Sequence, residues 1–315
     1  MTPSISQLLA VSYPAVQNDR NLPANQWAES AFLNELERQG MIERADLGPT
    51  IERTLDWRAN STMAVIGTDL ATTSLATATD VITAASYTPA QVAGWVIWSK
   101  GLDMKNPSVN QKIDVVKGLI ANAFASHDDV LETTLFTTSS AGGDELQGLD
   151  NIVTSDGLGT VGGINASTDA FWRNKVDGYT SGLDLEAGME SLWNRCERGT
   201  GSQYKPTLIV SDGQSQALFA STQQTQQRFQ GQDLKSSFTT IAFKTARSVY
   251  SKGAPAGKFF FLGNKTYRVF VSRDYYRAKG ETQEIQGGTG YTFQVYTGIQ
   301  ATTNNRSRLG YLAKQ

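Results

Sequence analysis

The chain has 315 residues, with 28 Lys and Arg against 30 Asp and Glu, one Cys and one His. That length holds about two domains and buries a core without covalent staples. One Cys excludes an internal disulfide, one His excludes two-histidine zinc motifs, and charged residues at 18% leave few catalytic side chains.

Residues 1–24 carry Pro3, Pro14 and Pro23 with no sustained period and read as an extended arm. Asn25 is the expected cap of a short helix through Arg38. Its apolar face is Ala28, Phe32 and Leu36, with Trp27 and Leu33 beside it, and Gly40 stands where a helix stop needs positive φ. Residues 51–58 and 91–100 alternate and are rich in aromatic and β-branched side chains, so both are predicted strands. From Ala59 to Trp98 only Asp69 and Asp80 are charged. A neutral Ala- and Thr-rich segment with no core face predicts a long β-ribbon reaching away from its own domain. Left bare, such a ribbon is an edge-pairing hazard, so it makes sense lying on a neighbouring subunit.

Asn106 and Pro107 then give a cap and a proline at the first helical position. Val109, Ile113, Val116, Ile120, Phe124, His127, Leu131 and Leu135 follow in steps of three and four, which predicts one helix of roughly 45 Å. No run of about 18 apolar residues occurs, so no membrane span is predicted, and with Arg20 the first basic residue no signal peptide is expected. Residues 141–163 are Gly-rich. Ser181-x-x-Asp184 opens a second helix to Arg198, striped by Leu185, Met189, Leu192 and Cys196 and closed by Gly199. A strand at Thr207–Val210 leads into a helix at Gln214–Ser221, and the Gln-rich stretch 223–232 reads as a solvated loop or helix end. Residues 258–262 and 266–271 are expected strands flanking Gly263-Asn264, a hairpin signal, and 291–300 is a long half-buried strand.

Candidate chemistry is sparse. His127 lies on the apolar stripe and Cys196 on a helix core face, so both read as packed side chains. Gly157-Leu-Gly-Thr-Val-Gly162 matches the dinucleotide fingerprint by letters, but Gly163-Ile-Asn-Ala-Ser-Thr after it is turn chemistry, not a helix. Asp128-Asp129 reads as a solvated edge, since adjacent helical residues do not face each other. The sequons at Asn60, Asn165, Asn264 and Asn305 read as coincidence. No catalytic, cofactor-binding or metal-ligating residue is assigned.

Charge is polarised. Residues 1–197 carry a net −13 and residues 198–315 a net +11. Three readings fit: complementary docking of copies, neutralisation within one monomer, or a nucleic-acid surface, the last weakened because the bases are spread out.

The order of these parts resembles the major capsid proteins of tailed bacteriophages, the Hong Kong 97-like fold, over essentially the whole chain. Local phrases carry the resemblance: Gly148-Leu-Asp-Asn-Ile-Val, Val161-Gly-Gly-Ile-Asn-Ala-Ser, Phe171-Trp-Arg-Asn and Thr302-Thr-Asn-Asn-Arg-Ser-Arg. It implies an α+β chain with an N-terminal arm (1–48), an extended loop on the adjacent subunit (49–98), a peripheral domain holding the spine helix (99–140 and 265–315) and an axial domain (141–264). It implies a non-enzymatic shell subunit forming pentamers and hexamers around double-stranded DNA in a virion. Assembly would take place in the host bacterial cytoplasm, with a separate scaffolding protein and a portal, no membrane and no cofactor, and the shell would expand as DNA is packaged. Some members weld subunits through a Lys in the extended loop; residues 49–98 contain no Lys, so no such bond is expected. The alternatives are an encapsulin-type compartment, a dinucleotide-binding enzyme using residues 157–162, and a filament or tail-tube protein.

Overall fold

A computed structural model describes residues 30–57, 81–101, 109–137, 146–197, 204–227, 241–285 and 287–315. The arm through residue 29, the ribbon tip at 58–80 and the expected cap at Asn106 and Pro107 lie outside them.

The first helix, α1 (Ala31–Arg38), is capped by Ser30, and Asn25, the expected cap, lies outside the described residues. The Leu33 N–H donates to the Ser30 hydroxyl at 3.2 Å, satisfying one of the helix's orphan donors. Gly40 ends the turn at φ 66°, as its position requires. The strand β1 (Ile42–Ala45) follows. Next comes an antiparallel pair, β2 (Ile51–Asp56) and β3 (Ile82–Tyr87), in register from Ile51 opposite Tyr87 to Asp56 opposite Ile82.

The strand β4 (Ala90–Ser99) departs from expectation. It is not part of the projecting loop but pairs with β15 (Gly290–Thr303) from Ala90–Ile299 to Ser99–Gly290. Val92, Val96 and Trp98 point inward, and that apolar face ties the strand to the body. On its other edge β15 pairs in turn with β12 (Tyr267–Ser272), β13 (Ala278–Lys279) and β14 (Gln283–Glu284), and β12 carries β1 in parallel.

The spine helix α2 (Val109–Phe136) crosses this first sheet. Ile120 and Phe124 pack on Val96, Trp98, Phe293 and Val295. Farther along, Leu131, Leu135 and Phe136 enter the main core, where the Phe136 ring stands 4.8 Å from Phe32 and 6.1 Å from Phe260. One apolar stripe thus holds two bodies together.

The second sheet runs β7 (Lys175–Tyr179), β16 (Gly310–Lys314), β11 (Lys258–Leu262), β8 (Leu208–Ser211), β10 (Ala246–Tyr250), β9 (Ile241–Phe243). Phe259 and Phe261 face a helical layer of α4 (Gly182–Glu197) and α5 (Gly213–Gln227), while Phe260 and Leu262 face the main core. An interior strand covered on both faces is apolar throughout. The short helix α3 (Leu149–Ile152) and the two-stranded hairpin β5 (Thr160–Val161) and β6 (Ile164–Asn165) lie between spine helix and second sheet in the chain.

Two more expectations are corrected. Gly263-Asn264 is no hairpin: β11 is flanked by β8 and β16, and β12 by β1 and β15. With both edges of each strand occupied, the turn carries the chain from one sheet to the other. The strand β16, expected with the peripheral domain, is interior to the second sheet.

Candidate assembly site: the ribbon and its root

The inner face of the β2–β3 stem carries Leu55, Ala85 and Tyr87, all buried, while Ile82 on the outer face is 73% exposed. The stem continues to the last described pair, where the Trp57 N–H donates to the Val81 carbonyl at 3.1 Å and the Trp57 ring meets Phe171 at 5.4 Å.

The stem sits on the β5–β6 hairpin. Gly162 and Gly163 form its turn with φ of 59° and 78°, the positive pair that a two-residue turn of this hand demands. The Ser86 N–H donates to the Gly162 carbonyl at 3.0 Å. A methyl group on Gly162 would lie 2.7 Å from the Ala85 Cβ, so glycine allows the strand to rest flush. The indole N–H of Trp172 donates to the Val161 carbonyl at 3.0 Å and braces the hairpin from behind. Asn174 donates to the Thr154 carbonyl at 2.8 Å.

The segment after β15 closes on the same place. The Tyr87 hydroxyl donates to the Thr303 carbonyl at 2.8 Å and accepts from the Thr303 N–H at 3.2 Å. Arg306 is fully buried. Its guanidinium donates to the carbonyls of Ile152 at 2.7 Å, Leu158 at 2.6 Å and Gly159 at 3.3 Å, and to the Thr154 hydroxyl at 2.8 Å. Burial lowers its pKa to about 10, which leaves it charged at neutral pH inside a cage of dipoles.

A second feature is a groove of about 250 Å³ between β4 and the spine helix, lined by Val92, Trp95, Ile97, Leu119, Ala123 and Val130 among others, with no acidic or basic residue except His127. Trp95 and Ile97 are 62% and 64% exposed there, and among the described residues β4 pairs on one edge only.

No protein-family model and no curated protein sequence matches the chain. Solved structures do. A subunit of the cyanophage A-1(L) capsid aligns with 89% of this chain and 92% of its own at TM-score 0.60 and 13% identity. The capsid of an empty GTA particle aligns over 89% of both chains at TM-score 0.61 and 13% identity. An encapsulin from Synechococcus elongatus aligns over 89% of this chain and 86% of its own at 0.54 and 13%.

This is the Hong Kong 97-like capsid fold.

Within the capsid fold the residues singled out from the sequence take definite places. The four phrases that carried the resemblance meet at the ribbon root, although they are scattered through the chain. The Gly157–Gly162 loop is a turn and half a hairpin, with no helix opening behind it. His127 is buried against β4, its Nε2 at 3.4 Å from the Val92 carbonyl. Cys196 is buried in the α4 layer, and burial pushes its thiol up to about 12. Asp128-Asp129 is corrected: helical geometry turns Asp128 into the body, where it pairs with Arg277 at 7% side-chain exposure each, while Asp129 stays outside with Lys252 at 3.1 Å. Two of the sequons are local turn chemistry: the Asn165 side-chain Oδ1 accepts the Ser167 N–H at 2.8 Å, and the Asn305 Oδ1 accepts the Ser307 hydroxyl at 2.8 Å.

Arg306 could not be found by sequence reasoning, because its partners are mostly main-chain carbonyls and leave no side-chain code. Among the described residues no cluster of His, Cys, Asp and Glu suits a metal ion, and no helix is long and apolar enough to cross a membrane.

The charge polarity resolves in part inside one chain. Lys244–Glu190, Arg247–Glu35, Lys252–Asp129, Lys258–Asp150, Arg268–Glu43, Arg273–Asp46 and Arg277–Asp128 each join a base of the C-terminal part to an acid of the N-terminal part. Of the three readings of the polarity, neutralisation within the monomer has this support.

Proposed function

We propose that the chain is the major capsid protein of a tailed phage. Its copies assemble as pentamers and hexamers into an icosahedral shell around double-stranded DNA, and its role is structural rather than catalytic. The observation that carries this reading is the capsid fold over nearly nine-tenths of the chain. The rooted ribbon stem, with an apolar residue on its outer face, is the part a lone subunit has no use for. In this reading the spine helix and first sheet form the peripheral body, and the second sheet with α4 and α5 forms the axial one. The segment from β2 to β3 lies on an adjacent subunit, and the uncharged groove beside Trp95 and Ile97 matches the neutral ribbon in polarity. Obligate contacts of this kind bury more than about 2,000 Å². A separate scaffolding protein, a portal, assembly in the bacterial cytoplasm and residence in the virion complete the proposal.

Negative-stain microscopy of particles purified from an expressing cell tests it. Large DNA-filled heads with a portal are expected. Small uniform cages enclosing an enzyme would favour the second reading, an encapsulin-type compartment, for which the Synechococcus elongatus match speaks. Open helical tubes would contradict both.

A further inference from the structure

We propose that the contacts at the ribbon root form a closed collar that fixes the direction in which the ribbon leaves the body, with Arg306 as its positioning residue; this rests on the shell reading above.

The links run in a circle. Thr303 is tied to Tyr87 through the tyrosine hydroxyl, β3 is tied to the hairpin through Ser86 and Gly162, and the hairpin continues into Gly159 and Leu158. Those carbonyls are held by Arg306, three residues beyond Thr303. Nearly every link ends on a main-chain atom, so the circle fixes backbone positions. Tyr87, Trp172 and Arg306 are all buried, which keeps water from competing for the bonds.

The chemistry of Arg306 argues for geometry over stability. A buried charge whose hydrogen-bond acceptors include no carboxylate is costly to desolvate and gains no ion pair in return. An apolar residue, however, could not hold three carbonyls and a hydroxyl in fixed directions. Direction matters because the stem is a lever. Its six residues span about 20 Å, so a 10° error at the root displaces the far end by about 3–4 Å, more than a hydrogen bond tolerates.

The test uses the full chain with spin labels at exposed sites on stem and body, E52C and L183C, with Cys196 left buried. Wild-type protein should give one narrow distance between labels and uniform shells. Arg306→Met, Tyr87→Phe and Gly162→Ala should keep the wild-type circular dichroism, at least double the width of the distance distribution, and lower the yield of uniform closed shells several-fold. Should Arg306→Met fail to fold, Tyr87→Phe and Gly162→Ala decide alone, since the first removes one hydroxyl and the second adds one methyl. Unchanged distances in the folded variants overturn the inference, and so do broadened distances with normal shells. Wild-type chains that never close a shell overturn the shell reading and this inference with it.

Discussion

Arg277 and Asp128 show what a single buried contact does here. The guanidinium reaches from the bend before β13 to the spine helix, and its Cζ lies 5.5 Å from the Phe124 ring centroid. Removing one partner leaves a buried charge unpaired, so Arg277→Ala should lower unfolding free energy by about 3–5 kcal/mol, read from the urea midpoint. Titration supplies a second test at this scale. Burial raises the Cys196 thiol above its ordinary 9.0 and the hydroxyls of Tyr87, Tyr267 and Tyr276 above their ordinary 10.0. An acid raised in the folded state keeps its proton longer there than in the unfolded chain. Its contribution to stability is intact below the unfolded value and is lost as pH climbs past it. The urea midpoint should therefore hold steady up to about pH 9 and fall steeply between about pH 10 and 11. A flat profile to pH 11 would contradict the burial of these groups.

Elements whose signal is local were legible; those whose partners are distant were not. The spine helix could be read because its stripe never breaks, and β4 and β15 because they alternate. β1 escaped notice: Ile-Glu-Arg-Ala has no apolar run and exists as a strand only through its parallel pairing with β12. Gly263-Asn264 misled because a turn signal says that the chain bends, not which strands it joins. The root was legible only in part, since the phrases carrying the resemblance could be quoted but not seen to converge. Trp57 and Val81 are paired across the stem, so a two-residue Asn-Gly turn can replace residues 58–80 without disturbing the collar. That variant should melt within a degree or two of wild type yet form no shells by sedimentation. Normal shells from it would remove the ribbon from the assembly mechanism.

At the level of the whole molecule, internal pairing of acids and bases changes what salt should do. Seven cross-half pairs satisfied within one chain quench about half of the polarity before copies meet, and most of these pairs are exposed and weak individually. Assembly rates followed by light scattering should change less than about threefold between 50 and 300 mM salt. A steep fall would mean that the polarity acts between subunits after all. The absence of Lys from residues 49–98 makes a separate prediction: particles boiled in detergent should release single 34.2 kDa chains, and a ladder of multiples would show a covalent weld.

The place of β16 bears on how a cell makes this protein. Among the described residues the strand β7 pairs with its sheet only through β16, which stands between β7 and β11. During translation β7 and the helix behind it emerge long before the strand that must receive them. The helix can cover its apolar stripe on Ile209, Phe259 and Phe261 as these emerge, but β7 waits for its partner until Gly310–Lys314 leaves the ribosome. Docking of β7 is thus tied to the synthesis of Gly310–Lys314, and a nascent chain stalled before Gly310 holds β7 with no sheet partner among the described residues.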